Sequence, residues 1–451
     1  MSTLSTNQNP VDHPELFDFT NGIEFDKKIA PQEIRVQLAW LRQLYAAGKI
    51  NDSEYNNIGY ALEKAGQLIQ QNQFPWQISE EDIHMNLERF VTQEVGECGK
   101  KMHIGRSRND LIATTLRLYV NDQLEISKKL IIDLQTTILL LAKKNLSIAL
   151  PGMTHLQNGQ PILLSQILCS YAWTWQDQKE LICFSQQLCL KNLPLGAAAF
   201  SGSHLALNYQ AIAEELGFQK VCQNSYHSVG GRDFLIHAIQ HYALVATHLT
   251  RIAFDFIYWS SSNIDFVSLP KNWSTGSSIM PNKRNPDVLE IIRGRCAQVI
   301  SAGQEACSIA KSIGTSYGTE LHVLKFTYDR ANEMLQSCLY FLNCFLKEVE
   351  FKPEVARTLL AKGFILATEI ANKLVDQGWS FREAYAKTAE LVSLSQGNEE
   401  EFFALIEKQN LNIGQIDLKS FLTTRENPGG TGPESVKEQI RQIESLLAST
   451  H

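Results

Sequence analysis

The stretch from Asp110 to Leu146 reads DLIATTLRLYVNDQLEISKKLIIDLQTTILLLAKKNL. Within it Ile112, Leu116, Tyr119, Leu124, Ile131, Leu134, Ile138 and Leu141 recur mostly at three- and four-residue steps, which draws one apolar stripe along a helix. A helix of roughly 35 residues at 1.5 Å each spans about 50 Å and belongs in a bundle. Nothing interrupts it, because residues 76 to 150 contain no proline, and a proline inside a helix costs about 3 kcal/mol. The windows 195 to 269, 287 to 352 and 354 to 427 are proline-free as well. With no sustained period-2 alternation to support a large sheet, the chain is expected to be all-α.

Outward from this stretch, helical text runs from Pro161 to about Lys191, from about Tyr209 to Leu216, and from Phe234 to about Ser260. It resumes from about Asp287 to Ser312 and from Tyr328 to Leu346. Ser79 followed by Glu80, Glu81 and Asp82 suits a capped helix start, and helical text begins again at Pro31. Cys98 to Asn109, with two glycines and four cations, reads as a loop between domains. Turn-forming residues gather at Pro151-Gly152, Pro194-Leu195-Gly196, Gly230-Gly231 and Ser274 to Pro286. Three parts are expected: a helical amino-terminal domain over 1–108, a central long-helix domain carrying the catalytic loop over 109–352, and a small helical domain over 353–451. The polar first twenty residues are expected to drape on the surface.

The 451 residues carry 41 basic and 48 acidic side chains, a net charge of −7, and 44% are apolar. That balance fits a soluble globular protein and argues against nucleic-acid binding. No apolar run nears the roughly 18 residues that span a bilayer, so no membrane role is expected. The first cation after the amino terminus is Lys27, unlike a secretory or transit leader. Nine cysteines without a CxxC pair read as reduced, buried thiols of a cytoplasmic protein, and no Cys/His spacing calls for a metal.

Ser274-Thr275-Gly276-Ser277-Ser278-Ile279-Met280-Pro281-Asn282-Lys283-Arg284-Asn285-Pro286-Asp287 carries the most chemistry. Hydroxyls, backbone N–H groups, an ammonium, a guanidinium and an amide on one loop suit closure over an anion and stabilisation of developing negative charge. A generic loop of this composition is otherwise merely solvated. No second glycine precedes Lys283, so this is not a Walker-type phosphate loop.

Read as a whole, Gly276 to Pro286 resembles the signature loop of the fumarase and aspartase superfamily. Gly105-Arg106-Ser107-Arg108-Asn109-Asp110 resembles the amino-terminal motif of its argininosuccinate lyase branch, and Pro151 to Gln157 resembles the second motif, in the same order. Glu81-Asp82-Ile83-His84, Pro194-Leu195-Gly196, Arg232-Asp233-Phe234 and Gly429-Gly430-Thr431 are weaker echoes. The resemblance implies a three-domain fold whose long helices form the core of a homotetramer, with each active site shared among three subunits. It implies a reversible β-elimination in which argininosuccinate yields arginine and fumarate, within arginine biosynthesis, without a cofactor. Removing a proton beside a carboxylate creates an aci-carboxylate, so such a site must concentrate positive charge and N–H donors.

By resemblance Ser277 is the base, its alkoxide stabilised by Lys283 and the loop N–H groups. His155 assists as acid or orients the leaving group, with Glu290 as its charge partner. Asn285, Ser107, Arg108, Asn109 and Thr154 bind the succinyl carboxylates. Each has a plainer reading: Asn109 or Asp110 as cap of the long helix, His155 as a structural hydrogen-bonder after a Pro-Gly turn, and Glu290 as a dipole partner at a helix start.

The chain departs from the family pattern where the amine part of the substrate would bind. Gly22 stands where a serine usually precedes Ile23, and restoring that serine is expected to lower KM. Glu33, Val36, Gln37 and Trp40 replace the family's Asp, Gly, Ser and His. Tyr317 and Lys325 are kept for the arginine part, but His322 replaces glutamine, and His227, Gly230 and Gly231 alter a third segment. The alternatives are a lyase for another N-substituted aspartate, or an inactive protein of the kind seen among lens crystallins.

Overall fold

The computed structural model describes residues 19–80, 82–311, 313–411, 413–414 and 416–449. The expectation for the first twenty residues therefore falls, through residue 18, outside the described residues, as do Glu81 and Ser312. The fold is all-α with short two-stranded ribbons. Two compact units are present: residues 1–128, 180–246 and 296–336 form the first, and 129–179, 247–295 and 337–451 the second.

The first unit opens with α1, Ile23–Ala46, α2, Asp52–Gln70, and α3, Ile83–Val95. Helix α1 starts before Pro31 and contains it. The lost backbone hydrogen bond, about 3 kcal/mol, is outweighed by burial of large side chains such as Ile29 and Trp40, both fully buried, at about 1.5–3 kcal/mol each. Asp82, not Ser79, caps α3: its carboxylate accepts from the N–H of Met85 at 2.8 Å. Gly96–His103 winds as a 3₁₀-helix where an open loop was expected.

Helix α4, Arg108–Lys144, confirms the long helix read from the opening stretch, and the break between the units falls within it. The strands β1, Ala149–Thr154, and β2, Gln157–Leu163, follow, then α5, Leu164–Leu190. Pro161 therefore lies in a strand opposite Pro151, not at a helix start. Helices α6, Tyr209–Leu216, α7, Ser225–Gly230, and α8, Asp233–Ser260, come next. Strand β3, Val267–Ser268, precedes the ribbon of β4, Thr275–Gly276, and β5, Arg284–Asn285. Helices α9, Asp287–Ala310, and α10, Glu320–Glu348, are followed by β6, Glu350–Phe351, which pairs with β3.

Within the first unit, α4, α8 and α10 lie side by side through Ser127, Tyr242 and Asn332. The Tyr242 hydroxyl donates to Asn332 Oδ1 at 2.9 Å. Within the second, α4 meets α5 where Gln135 donates to the Ala172 carbonyl at 2.9 Å, and α5 meets α8 where Tyr171 donates to Asp255 at 2.5 Å. The second unit also holds shorter helices after Pro353, whose core gathers Ile370, Leu374, Leu391 and Phe402. None of the nine cysteines forms a disulfide; only Cys169, Cys189, Cys296 and Cys338 are buried, and Cys307 is exposed. No helix among the described residues is long and apolar enough to cross a membrane.

Candidate active site

Two clefts hold most of the residues that the motifs single out, one in each unit. In the first unit, Ser107-Arg108-Asn109-Asp110 caps the start of α4 with two side-chain hydrogen bonds. Ser107 Oγ accepts from the Asn109 N–H at 3.3 Å, and Asp110 accepts from the Ser107 N–H at 3.0 Å. The cap is thus Ser107 with Asp110 reaching back, rather than Asn109. Asp110 also accepts from the N–H groups of Gly196 at 3.0 Å and Ala198 at 2.8 Å, tying the motif to the Pro194-Gly196 turn. Burial raises its carboxyl to about 6 against the pull of these donors. Before the cap, Gly105 turns with φ +79°, and a Cβ there would stand 2.2 Å from Leu205, so only glycine fits.

The cleft beside this turn, about 390 Å³, is lined by Arg108, Asn109, Tyr317, His322 and Lys325. Asp26, Asp82 and His84 line it too, and sequence reasoning did not assign them a role. Each belongs to an ion pair. Lys325 Nζ meets Asp26 at 2.6 Å, with both side chains almost wholly buried, and Arg108 meets Asp82 at 3.2 Å. His84 Nδ1 lies 2.9 Å from the buried Glu33 carboxylate. Burial alone would lower the His84 pKa, but Glu33 and Asp82 hold it above its ordinary value. Burial likewise opposes ionisation of Glu33, but pairing with His84 holds its pKa down. The two shifts agree on an ion pair.

His322 differs. Burial, reinforced by Lys325, pushes its pKa down to about 4, so a neutral imidazole stands where the family pattern has a neutral amide. The Tyr317 ring meets it edge-on at 6.4 Å. His227 sits on the short helix α7, its N–H bonded to Asn224 at 2.9 Å, and does not line this cleft.

In the second unit, β4 and β5 pair Thr275 with Asn285 and Gly276 with Arg284, which closes Ser277 to Lys283 into a loop. Asp287 pins its base by accepting from the Thr275 hydroxyl and from the Thr275 N–H at 3.1 Å. The hydroxyl contact chiefly lowers the Asp287 pKa. At the start of this loop, Ser277 Oγ accepts from the N–H groups of Ile279 at 3.3 Å and Met280 at 3.1 Å. Two donors converging on one hydroxyl oxygen favour its anionic form. An open cleft of about 1040 Å³ is lined by Gly276, Lys283, Asn285 and Glu290, with Lys271, Arg284 and Lys352 adding positive charge. Ser277 itself does not line it.

His155 and Leu156 form the two-residue turn between β1 and β2, at φ +56° and +57°. The Pro-Gly pair lies within the strand instead, at a break in the pairing between Pro151 and Met153. Non-glycine residues at positive φ are uncommon, and such strain concentrates at functional sites. No hydrogen bond or ion pair joins His155 to Glu290 among the described residues of the chain. One chain thus carries Ser107, Arg108, Asn109, Tyr317, His322 and Lys325 in its first unit. Thr154, His155, Ser277, Lys283, Asn285 and Glu290 lie in its second.

The sequence profile of a family described as Lyase matches residues 10–301. An argininosuccinate lyase of Moorella thermoacetica is 34% identical over 444 residues, 96% of this chain and 95% of that protein. One from Nitratidesulfovibrio vulgaris is 34% identical over 442 residues, 95% of each chain. Among solved structures, EDDS lyase in complex with formate superposes with a TM-score of 0.81 at 21% identity, covering 94% of this chain and 87% of that one. A class II fumarase from Schistosoma mansoni gives 0.74 at 19% identity, over 85% and 87%. The structural likenesses establish the fold alone. The near full-length sequence likeness goes further, and with the three motifs in order it places this chain in the argininosuccinate lyase family.

Proposed function

We propose that this protein cleaves argininosuccinate by β-elimination to arginine and fumarate, in arginine biosynthesis. The observation that carries the chemistry is the Ser277 oxygen receiving two backbone N–H groups on a loop that also bears Lys283. Ser277 as alkoxide takes the proton from the carbon beside a succinyl carboxylate. The electron pair left there is held as an aci-carboxylate by N–H donors and cations, and then expels the guanidino nitrogen as the C–N bond breaks. A proton delivered to that nitrogen, with His155 assisting and Glu290 as its partner, completes arginine and leaves fumarate. Asn285, Ser107, Arg108, Asn109 and Thr154 bind the succinyl carboxylates, and Tyr317, His322 and Lys325 receive the arginine part.

The division of these residues between two units fits an active site assembled from three subunits of a homotetramer, working in the cytoplasm. A second reading, elimination from another N-substituted aspartate, draws on Gly22 and His322 meeting at Lys325, in the cleft that would hold the amine. The test is to add argininosuccinate to purified protein and follow fumarate in the ultraviolet. Fumarate released only from a different N-succinyl amine would overturn the first reading in favour of the second.

A further inference from the structure

We propose that Gln37 is a positioning residue that holds Arg106, and through it the Ser107–Asn109 turn, in the geometry that binds the substrate carboxylates. The proposal rests on the reading that this turn binds those carboxylates. Glu33, Gln37 and Trp40 fall at i, i+4 and i+7 of α1, on one helix face. Glu33 is fully buried and uses both oxygens. Oε1 accepts from Gln37 Nε2 at 2.6 Å and faces His84 Nδ1 at 2.9 Å, and Oε2 accepts from the Thr115 hydroxyl at 2.8 Å.

The other end of the Gln37 amide accepts a hydrogen bond from Arg106 Nη2. Arg106 is itself buried, and its Nε and Nη1 have no hydrogen-bond partner among the described residues. Gln37 therefore satisfies a guanidinium that has little other support, and bridges it to the Glu33 carboxylate through one amide. Trp40 completes the grip. Its indole N–H donates to the Ile104 carbonyl at 3.1 Å, and the Arg106 guanidinium lies over its ring at 5.9 Å.

The three side chains thus fasten residues 104 to 106, the stretch that leads directly into Ser107. In the family pattern these three α1 positions carry Asp, Ser and His. A serine at 37 is too short to bridge a carboxylate to a guanidinium, so Glu33, Gln37 and Trp40 read as one joint replacement.

The test is Gln37→Met, close in shape but unable to hydrogen-bond. The turn would touch the succinyl carboxylates alike in ground and transition states. KM for argininosuccinate should therefore rise roughly tenfold or more, with kcat within about threefold of wild type. The Kd of fumarate, measured by calorimetry on the same proteins, should weaken in parallel. Should Gln37→Met fail to fold, Trp40→Phe removes the N–H to Ile104 and trims the ring beneath Arg106, and should raise KM by roughly threefold. Wild-type KM and fumarate Kd in the folded variant, or a loss confined to kcat, would overturn the proposal. A wild-type protein that makes no fumarate from argininosuccinate sinks the activity reading instead. Fumarate calorimetry then decides for Gln37 alone, with weaker binding in the variant upholding it and equal binding overturning it.

Discussion

Gly22 lies against Lys325 so closely that a side-chain carbon at position 22 would stand 2.9 Å from Lys325 Nζ and 3.6 Å from His322 Nδ1. The absent serine is therefore a matter of space around a buried ammonium, which Asp26 holds at 2.6 Å. Gly22→Ser should push Lys325 off Asp26 and raise KM several-fold, the reverse of what sequence comparison alone leads one to expect. Steady-state KM for argininosuccinate checks this, and a lower KM would mean the cleft relaxes to accept the hydroxyl.

Ser277→Ala removes the oxygen on which two loop N–H groups converge. Turnover should fall by about 10²–10⁴, the usual worth of a positioned base. The thermal midpoint should stay at the wild-type value, since Ser277 is not part of a core. Near-normal kcat in the fumarate assay would remove Ser277 from the mechanism.

Acid should destabilise the fold through its histidines. Burial lowers His103, His241 and His322 to about 4, against an ordinary value of 6.5. Between those values the unfolded chain binds protons that the folded chain refuses, so this contribution is complete above pH 6.5 and is lost as pH falls toward 4. His241→Gln should flatten the dependence of stability on pH in that window by about one proton, read from denaturant midpoints at pH 5 and 7. An unchanged slope would mean that His241 titrates normally in the fold.

Leu156 occupies a turn position at φ +57° with its side chain 55% exposed. A left-handed conformation costs a non-glycine residue roughly 1–2 kcal/mol, and glycine gives back about 0.5–1 kcal/mol through the unfolded chain. Leu156→Gly should therefore stabilise the protein by about 0.5–1 kcal/mol in denaturant melts. Destabilisation would mean that the leucine side chain holds the hairpin.

The sequence by itself determined the long helices and the three motifs, because both are written in short-range order. A 3.6-residue apolar period and a run of fourteen contiguous loop residues need no partner to be read. It misplaced the start of α3 and overlooked β2, since Gln157 to Gln160 carry no alternation and become a strand only through Met153 and Thr154 opposite. Only the tertiary structure decided what surrounds the motifs. Glu33 meets His84 across 51 residues, Gln37 meets Arg106 across 69, and Asp26 meets Lys325 across 299. A buried charge must find its opposite wherever the fold brings one, and no local pattern records where that is.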